Sequence, residues 1–470
     1  MRIKIIFFSF FVTLSVYSQN IKRKGSLGVG LYNSIPDSIY KKINLKSNNG
    51  SLVQFVIPQT TADKLSVKPY DLITNCNNVA IHSTPSLIQL AKHFKDGDSI
   101  SLIVIRNNSS LKLLGFVKGK PYEVSDKFKI TYGEFKFNDE LIRTIFKEPV
   151  SKKSIGTVYF VQGISCYSLD NLQANDPTKL AIDAMVEKGF NVYYVEKKGM
   201  GDSYSTIPCE EIGFNQELDV FKEGYKKLLS SRSLDTSRIF IFGHSLGGVT
   251  APLLAEQFHP KGVVVYGTVF KQWGEYLKDA IIYQAAYYGE NLDSLKRAVA
   301  LMEPTFNDLF FNGKSAKELA RDTNHLKVLK QAFEYDVNTN LGLAGRTIEF
   351  HQEINGHNMA EAWKNANTNV LAIYGESDIA ANNSLDHEAL VKHVNKYHPG
   401  KGRFLLMPKT NHMFQEIGTM DDYIKMQTDP SKYQLYASQH FNTKLFDIVC
   451  EWMAINLTKS NSPPIKSIKK

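Results

Sequence analysis

The run Ile239-Phe-Ile-Phe-Gly-His-Ser-Leu-Gly-Gly248 constrains this chain more than any other ten residues. Its apolar start predicts a buried strand, and residues 246–258 predict a helix that follows with no linker. Between them lies Gly243-His244-Ser245-Leu246-Gly247. A chain that passes from strand to helix within one residue must turn sharply, and glycines two positions either side of Ser245 let the two elements close on each other. Three fixed positions would recur by chance in roughly one chain in seven of this length. The spacing is therefore informative only because a strand precedes it and a helix follows. Such a turn lifts the Ser245 hydroxyl to the edge of a sheet, where it is available as a nucleophile.

The surrounding pattern supplies that sheet. Strands are predicted over 157–162, 191–195, 238–242, 263–266, 370–374 and 404–407, and helices over 177–187, 216–229, 246–258 and 445–457. Apolar strands alternating with helices predict an α/β class with a mostly parallel sheet covered on both faces. Alternating residues over 128–132 and 134–137 predict edge strands that open this unit. The stretch 268–366 breaks the rhythm: it is helical and rich in Tyr and Phe, and is expected to form a lid insertion over the active edge of the sheet. Its aromatics Trp273, Tyr283, Tyr287, Phe310, Phe311 and Trp363 either line a pocket or form the insertion's own core, and the core is expected for most of them.

In this setting the serine turn resembles the nucleophile elbow of the α/β hydrolases, a resemblance that covers about 128–457. It implies the chain order serine, acid, histidine. Val370-Leu-Ala-Ile-Tyr-Gly-Glu-Ser-Asp378 places Asp378 in the loop after a late strand, with Glu376 as the rival acid two residues away. Phe404-Leu-Leu-Met-Pro-Lys-Thr-Asn-His412 places His412 just past the last strand. The other histidines considered, His351, His357, His387, His393 and His398, fall in the insertion or along a surface helix. The expected oxyanion donors are the N–H of Leu246 and, from the loop after Gln162, that of Ile164, with Gly163 as the alternative. Gln162 stands where the family often has His, and a backbone donor survives that change. Gly199 and Gly201, in Tyr194-Val-Glu-Lys-Lys-Gly-Met-Gly-Asp-Ser203, are read as turn residues near the pocket mouth. No phosphate loop, metal-ligand spacing or dinucleotide fingerprint occurs, so no cofactor is expected.

Residues 22–118 read as a separate unit, with a domain boundary expected near 120. It contains Gly25-Ser-Leu-Gly-Val-Gly30, a strand over 52–58, a helical turn over 61–65, a helix over 85–94, and strands over 98–106 and 111–117 joined at Asn107-Asn108. In this order the elements resemble a bacterial-type PDZ domain. The resemblance implies that Leu27, Gly28 and Val29 form a loop for a peptide carboxylate beside an open strand edge; a PDZ-like fold that binds nothing is the alternative.

Arg2 and Lys4, the apolar run 5–16 and the cleavage-like Val16-Tyr-Ser18 predict a signal peptide over 1–18. The run is short of the ~20 residues that span a bilayer. A periplasmic or secreted location is expected, with a disordered basic tail over 459–470. Cys166 and Cys209 each follow a predicted strand at the same sheet edge, and export would permit a disulfide between them; Cys450 lies on an apolar helix face. Of the formal charge of +9, six cations lie at the chain ends, leaving +3, and no basic stripe suits nucleic acid. Three functions stay open. The first is an exported serine hydrolase of carboxylic esters. The second is a peptidase or amidase guided by the PDZ-like unit. The third is a non-catalytic peptide-binding scaffold.

Overall fold

The computed structural model describes residues 21–43, 49–230 and 234–458. The expected leader over 1–18 and the tail over 459–470 lie outside them. The N-terminal unit contains β1 (Gly25–Ser26), β2 (Val29–Leu31), β3 (Ser51–Val56), β4 (Leu72–Cys76), β5 (Val79–Ala80), β6 (Ser99–Arg106), β7 (Ser109–Phe116) and β8 (Lys118–Gly119). One sheet runs β2-β3-β4-β6-β7, with β5 on β4, and β1 pairs with β8. Alternation in β6 turns Ile100, Leu102 and Val104 onto a core shared with Leu27, Val53 and Leu87. The helix Thr84–Ala91 begins where the periodicity begins, because Ser83 and Ser86 satisfy each other's backbone N–H groups in a capping box. A helix at Asp37–Lys42 was not foreseen. Six mixed residues carry no periodic signal, yet Ile39 and Tyr40 pack over Leu52 and Leu72.

The second unit contains β9 (Phe128–Phe137), β10 (Glu140–Pro149), β11 (Gly156–Val161), β12 (Phe190–Val195), β13 (Ile239–His244), β14 (Gly262–Tyr266), β15 (Asn369–Gly375) and β16 (Gly402–Met407). They form an eight-stranded sheet in the order β16-β15-β14-β13-β11-β12-β10-β9. β10 is antiparallel to β9 and β12, and the remaining neighbours are parallel. The two short strands expected over 128–137 are one, since Gly133 pairs with Thr144 in an unbroken ladder. Period-two alternation on apolar strands buries both faces. Tyr159, Val161, Ile239 and Ile241 meet the helices Phe214–Leu229 and Leu246–Phe258, while Val158, Phe160, Phe240 and Phe242 meet Pro177–Glu187 and Thr443–Thr458.

From β11 the chain goes first to β12 on one side and then crosses to β13 on the other. The loops leaving β11 and β13 therefore diverge and open a crevice at the carboxyl ends of the strands. The insertion covers this crevice with helices that include Trp273–Tyr287, Leu292–Phe310 and Ile348–Asn355. Phe310 and Trp363 are core residues, as expected, but Phe311 is 54% exposed and belongs to no core.

Arg23 welds the two units. It is buried, pairs with Asp170 and with Asp202 at 2.7 Å, and donates to the carbonyls of Lys120 and Pro121. Asp202 also accepts from the Lys24 N–H at 2.8 Å and from Arg143 Nε at 2.9 Å. The strand that enters the Leu27-Gly28-Val29 turn is thus tied to the Gly199–Ser203 turn of the larger unit.

Candidate active site

Ser245 holds φ 55° and ψ −124°, a conformation costly for a residue with a Cβ. Close packing enforces it. A Cβ at Gly243 would stand 2.4 Å from the Gly247 carbonyl oxygen, and one at Gly247 would stand 2.1 Å from that of Val161. The glycines of the motif are therefore required by the approach of the helix to β11 and β13. The Ser245 side chain is half-buried and makes no capping hydrogen bond, so its hydroxyl is uncommitted.

His412 sits beyond β16 with its side chain 20% exposed. Its Nδ1 lies 2.8 Å and 2.9 Å from the two carboxylate oxygens of Asp378, which is fully buried in the loop after β15. The carboxylate also accepts the Ala381 N–H at 3.0 Å. Burial alone would raise the Asp378 pKa, but His412 and the hydrogen bonds outweigh it and hold the group below its ordinary value. Burial alone would lower the His412 pKa, and the Asp378 charge outweighs it and raises the ring above 6.5. Glu376, the rival acid, accepts the Lys409 N–H at 2.7 Å instead. Ser245 and His412 line one cavity of about 340 Å³. No hydrogen bond joins them among the described residues.

Gly163, Ile164 and Leu246 line the same cavity. Gly163 packs on the serine: a Cβ there would be 3.1 Å from Ser245 Cβ and 3.5 Å from its Oγ. Gln162 turns away, its amide near the carbonyls of Ser165 and Tyr167. Cys166 and Cys209 form a disulfide just beyond this loop, whereas Cys76 and Cys450 are free and buried. In the N-terminal unit Leu27 is buried in the core, Gly28 holds φ 73° with Thr60 filling the space of a Cβ, and Val29 begins the edge strand β2.

Two neighbours of the His412–Asp378 pair escaped the sequence reading. Gly267, at the end of β14, holds φ 61°, and a Cβ there would stand 2.6 Å from Asp378 Oδ2 and 2.8 Å from His412 Nδ1. His244 donates its Nε2–H to the His412 carbonyl at 2.9 Å. Burial, then the nearby His412, push its pKa down to about 3, so the ring stays neutral. A glycine ending a strand and a histidine inside a turn motif carry no sequence signal of what they touch.

Residues 178–414 match the family model of the serine aminopeptidase, S33, and residues 25–114 match the model of the PDZ domain. The chain belongs to the S33 family of α/β hydrolases. This hydrolase is also similar to solved structures. One is Est1E from Butyrivibrio proteoclasticus with ferulic acid bound (13% identity, 70% of this chain and 100% of that one, TM-score 0.43). Others are the acylaminoacyl peptidase of Pyrococcus horikoshii (11%, 89% and 61%, 0.45) and a soluble variant of the monoglyceride lipase of Saccharomyces cerevisiae (13%, 72% and 100%, 0.42). No curated protein matches the hydrolase. Among its described residues no helix is long and apolar enough to cross a membrane, and no cluster of metal-binding side chains occurs.

Proposed function

We propose that this protein is an exported serine hydrolase that cleaves carboxylic esters of apolar acids. Ser245 Oγ attacks the ester carbonyl while His412 Nε2 takes its proton, and Asp378 holds the Nδ1–H and faces the imidazolium that forms. The N–H groups of Leu246 and Ile164 receive the oxyanion. Collapse of the tetrahedral species breaks the ester C–O bond, and His412 returns the proton to the departing alkoxide. A water, deprotonated by the same ring, then releases the acid and regenerates Ser245.

The observation that carries the ester reading is the cavity wall. Val249, Val269, Trp273, Leu277, Leu343 and Met413 line it, and none of the described lining residues is Asp, Glu, Lys or Arg. An aminopeptidase must hold a free ammonium group, and burying one without a fixed anion is costly. An uncharged wall suits a neutral acyl group. Purified protein is expected to hydrolyse short acyl esters at least about 100-fold faster than aminoacyl arylamides of similar size, since each ~1.4 kcal/mol of misfit is tenfold. A preference for the arylamides, measured as kcat/KM, would sink the ester reading and favour the peptidase.

Export is supported by the leader-like N-terminus and by the Cys166–Cys209 disulfide. For the PDZ domain we infer a peptide C-terminus as ligand, held at Leu27, Gly28 and Val29 beside the edge strand β2.

Gly267→Ala tests the packing beneath the pair. The added methyl must displace Asp378 or His412, and an ångström of displacement costs about 100-fold in rate. The variant is expected to lose about that factor in kcat, with about 1–2 kcal/mol of stability from the left-handed backbone. Turnover within twofold of wild type would show that the pair does not depend on this glycine.

A further inference from the structure

The loop that carries Ile164 is gripped from below by charges that the reaction does not use. Lys197 follows β12 and is 1% exposed. Its ammonium lies 2.7 Å from the Gly163 carbonyl oxygen, 3.2 Å from that of Ile164 and 2.8 Å from Glu217 Oε1. These three acceptors use all three of its protons. Glu217, on the helix Phe214–Leu229, also accepts from Arg346 Nη2 at 2.9 Å. Arg346, fully buried in the insertion, donates through Nη1 to the Ile164 carbonyl at 3.2 Å, and the same nitrogen stands 3.2 Å from Cys166 Sγ. Elements from three parts of the chain thus converge on two consecutive carbonyls.

The consequence follows from peptide geometry. The Gly163 C=O and the Ile164 N–H belong to one planar unit, which is trans, so they point in opposite directions. Whatever holds the carbonyl also sets the aim of the N–H. Gly163 packs on Ser245, and no acceptor among the described residues takes the Ile164 N–H. We propose that Lys197, braced by Glu217 and Arg346, is a positioning residue that aims the Ile164 N–H at the oxyanion. Moving an ion from water into this interior costs several kcal/mol. An apolar side chain would fill the space without that cost, but it would take away the Lys197 donor to the Gly163 carbonyl, leave the Ile164 carbonyl to Arg346 alone, and free the Gly163–Ile164 peptide plane to turn.

This inference rests on Ser245 as nucleophile, and its test separates the two. Lys197→Met keeps the unbranched stem out to Cε, removes the ammonium and leaves Glu217 paired with Arg346. Complete loss of an oxyanion donor costs about 100- to 1,000-fold in kcat, so a misaimed one is expected to cost about 10- to 100-fold, with KM within about threefold of wild type. Affinity for a trifluoromethyl ketone, whose serine adduct places an oxyanion in the same hole, should fall by the factor lost in kcat/KM. Amide hydrogen exchange across 160–168 should become faster. Unchanged kcat, or a loss of kcat with undiminished ketone affinity, would overturn the proposal. If wild type neither turns over an ester nor binds the ketone, the hydrolase reading fails. Exchange then decides alone, and protection equal to wild type in the variant would show that Lys197 does not hold the loop. Should Lys197→Met not fold, Lys197→Gln, which keeps donors but no charge, is expected to give the same directions with smaller factors, and wild-type values for it would count against the proposal.

Discussion

Ser245→Ala is expected to lower ester turnover by a factor on the order of 10⁴–10⁶ and to abolish labelling by a fluorophosphonate probe. The size of the effect follows from the chemistry: with the hydroxyl gone there is no acyl-enzyme, and only general binding and the oxyanion donors remain. The fold should tolerate the change. The Ser245 side chain makes no capping hydrogen bond, and alanine at φ 55° carries the same backbone cost as serine. Thermal midpoints of the two proteins should therefore agree closely while their activities do not. Labelling of the alanine variant at the wild-type rate would place the nucleophile elsewhere. Failure of both proteins to label would favour the PDZ domain as the working part.

Asp378→Asn is expected to cost about 10⁴-fold in kcat and to move the pH profile. The buried carboxylate accepts the Nδ1–H of His412, which leaves Nε2 as the base. An asparagine amide can present N–H instead, favour the other tautomer and remove the charge that faces the imidazolium. The sign of the pH effect is determined by the same contact. His412 acts as base only when neutral, and Asp378 raises its pKa above 6.5, so wild-type kcat/KM should rise with pH through that raised value. Without the carboxylate, burial dominates and lowers the ring's pKa, and the acidic limb should shift to lower pH in the variant. An unshifted limb would mean that a group other than His412 controls it.

The parts legible in the sequence share one property: a periodic or local signal. The apolar runs of β11 to β15 announce buried strands because both faces of the sheet are covered, and the helices Pro177–Glu187 and Leu246–Phe258 match the sequence expectation to the residue. The elbow was legible because its glycines must lie where the helix closes on the strand. Where the signal is weak the structure differs from the sequence expectation. Gly133 hid the continuity of β9, and the helix Asp37–Lys42 was too short to show a period. Among the insertion's aromatics, sequence could not separate Trp273, which lines the cavity, from Phe311, which faces solvent.

By itself the sequence determined the strand–turn–helix around Ser245 and the run of elements in the PDZ unit before it, while Asp378 and His412 were named only through the chain order that the resemblance implies. The first two are written in neighbouring residues, because backbone conformation and strand or helix periodicity are local properties. Only the tertiary structure decided which carboxylate meets His412, that Gly267 makes room for the pair, and that Lys197, Glu217 and Arg346 meet beneath the loop after β11. Arg346 lies 149 residues from Lys197 in the chain. Contacts of this kind are made where crossing strands bring distant loops to one edge of the sheet, and they depend on buried geometry and charge compensation rather than on any pattern along the chain.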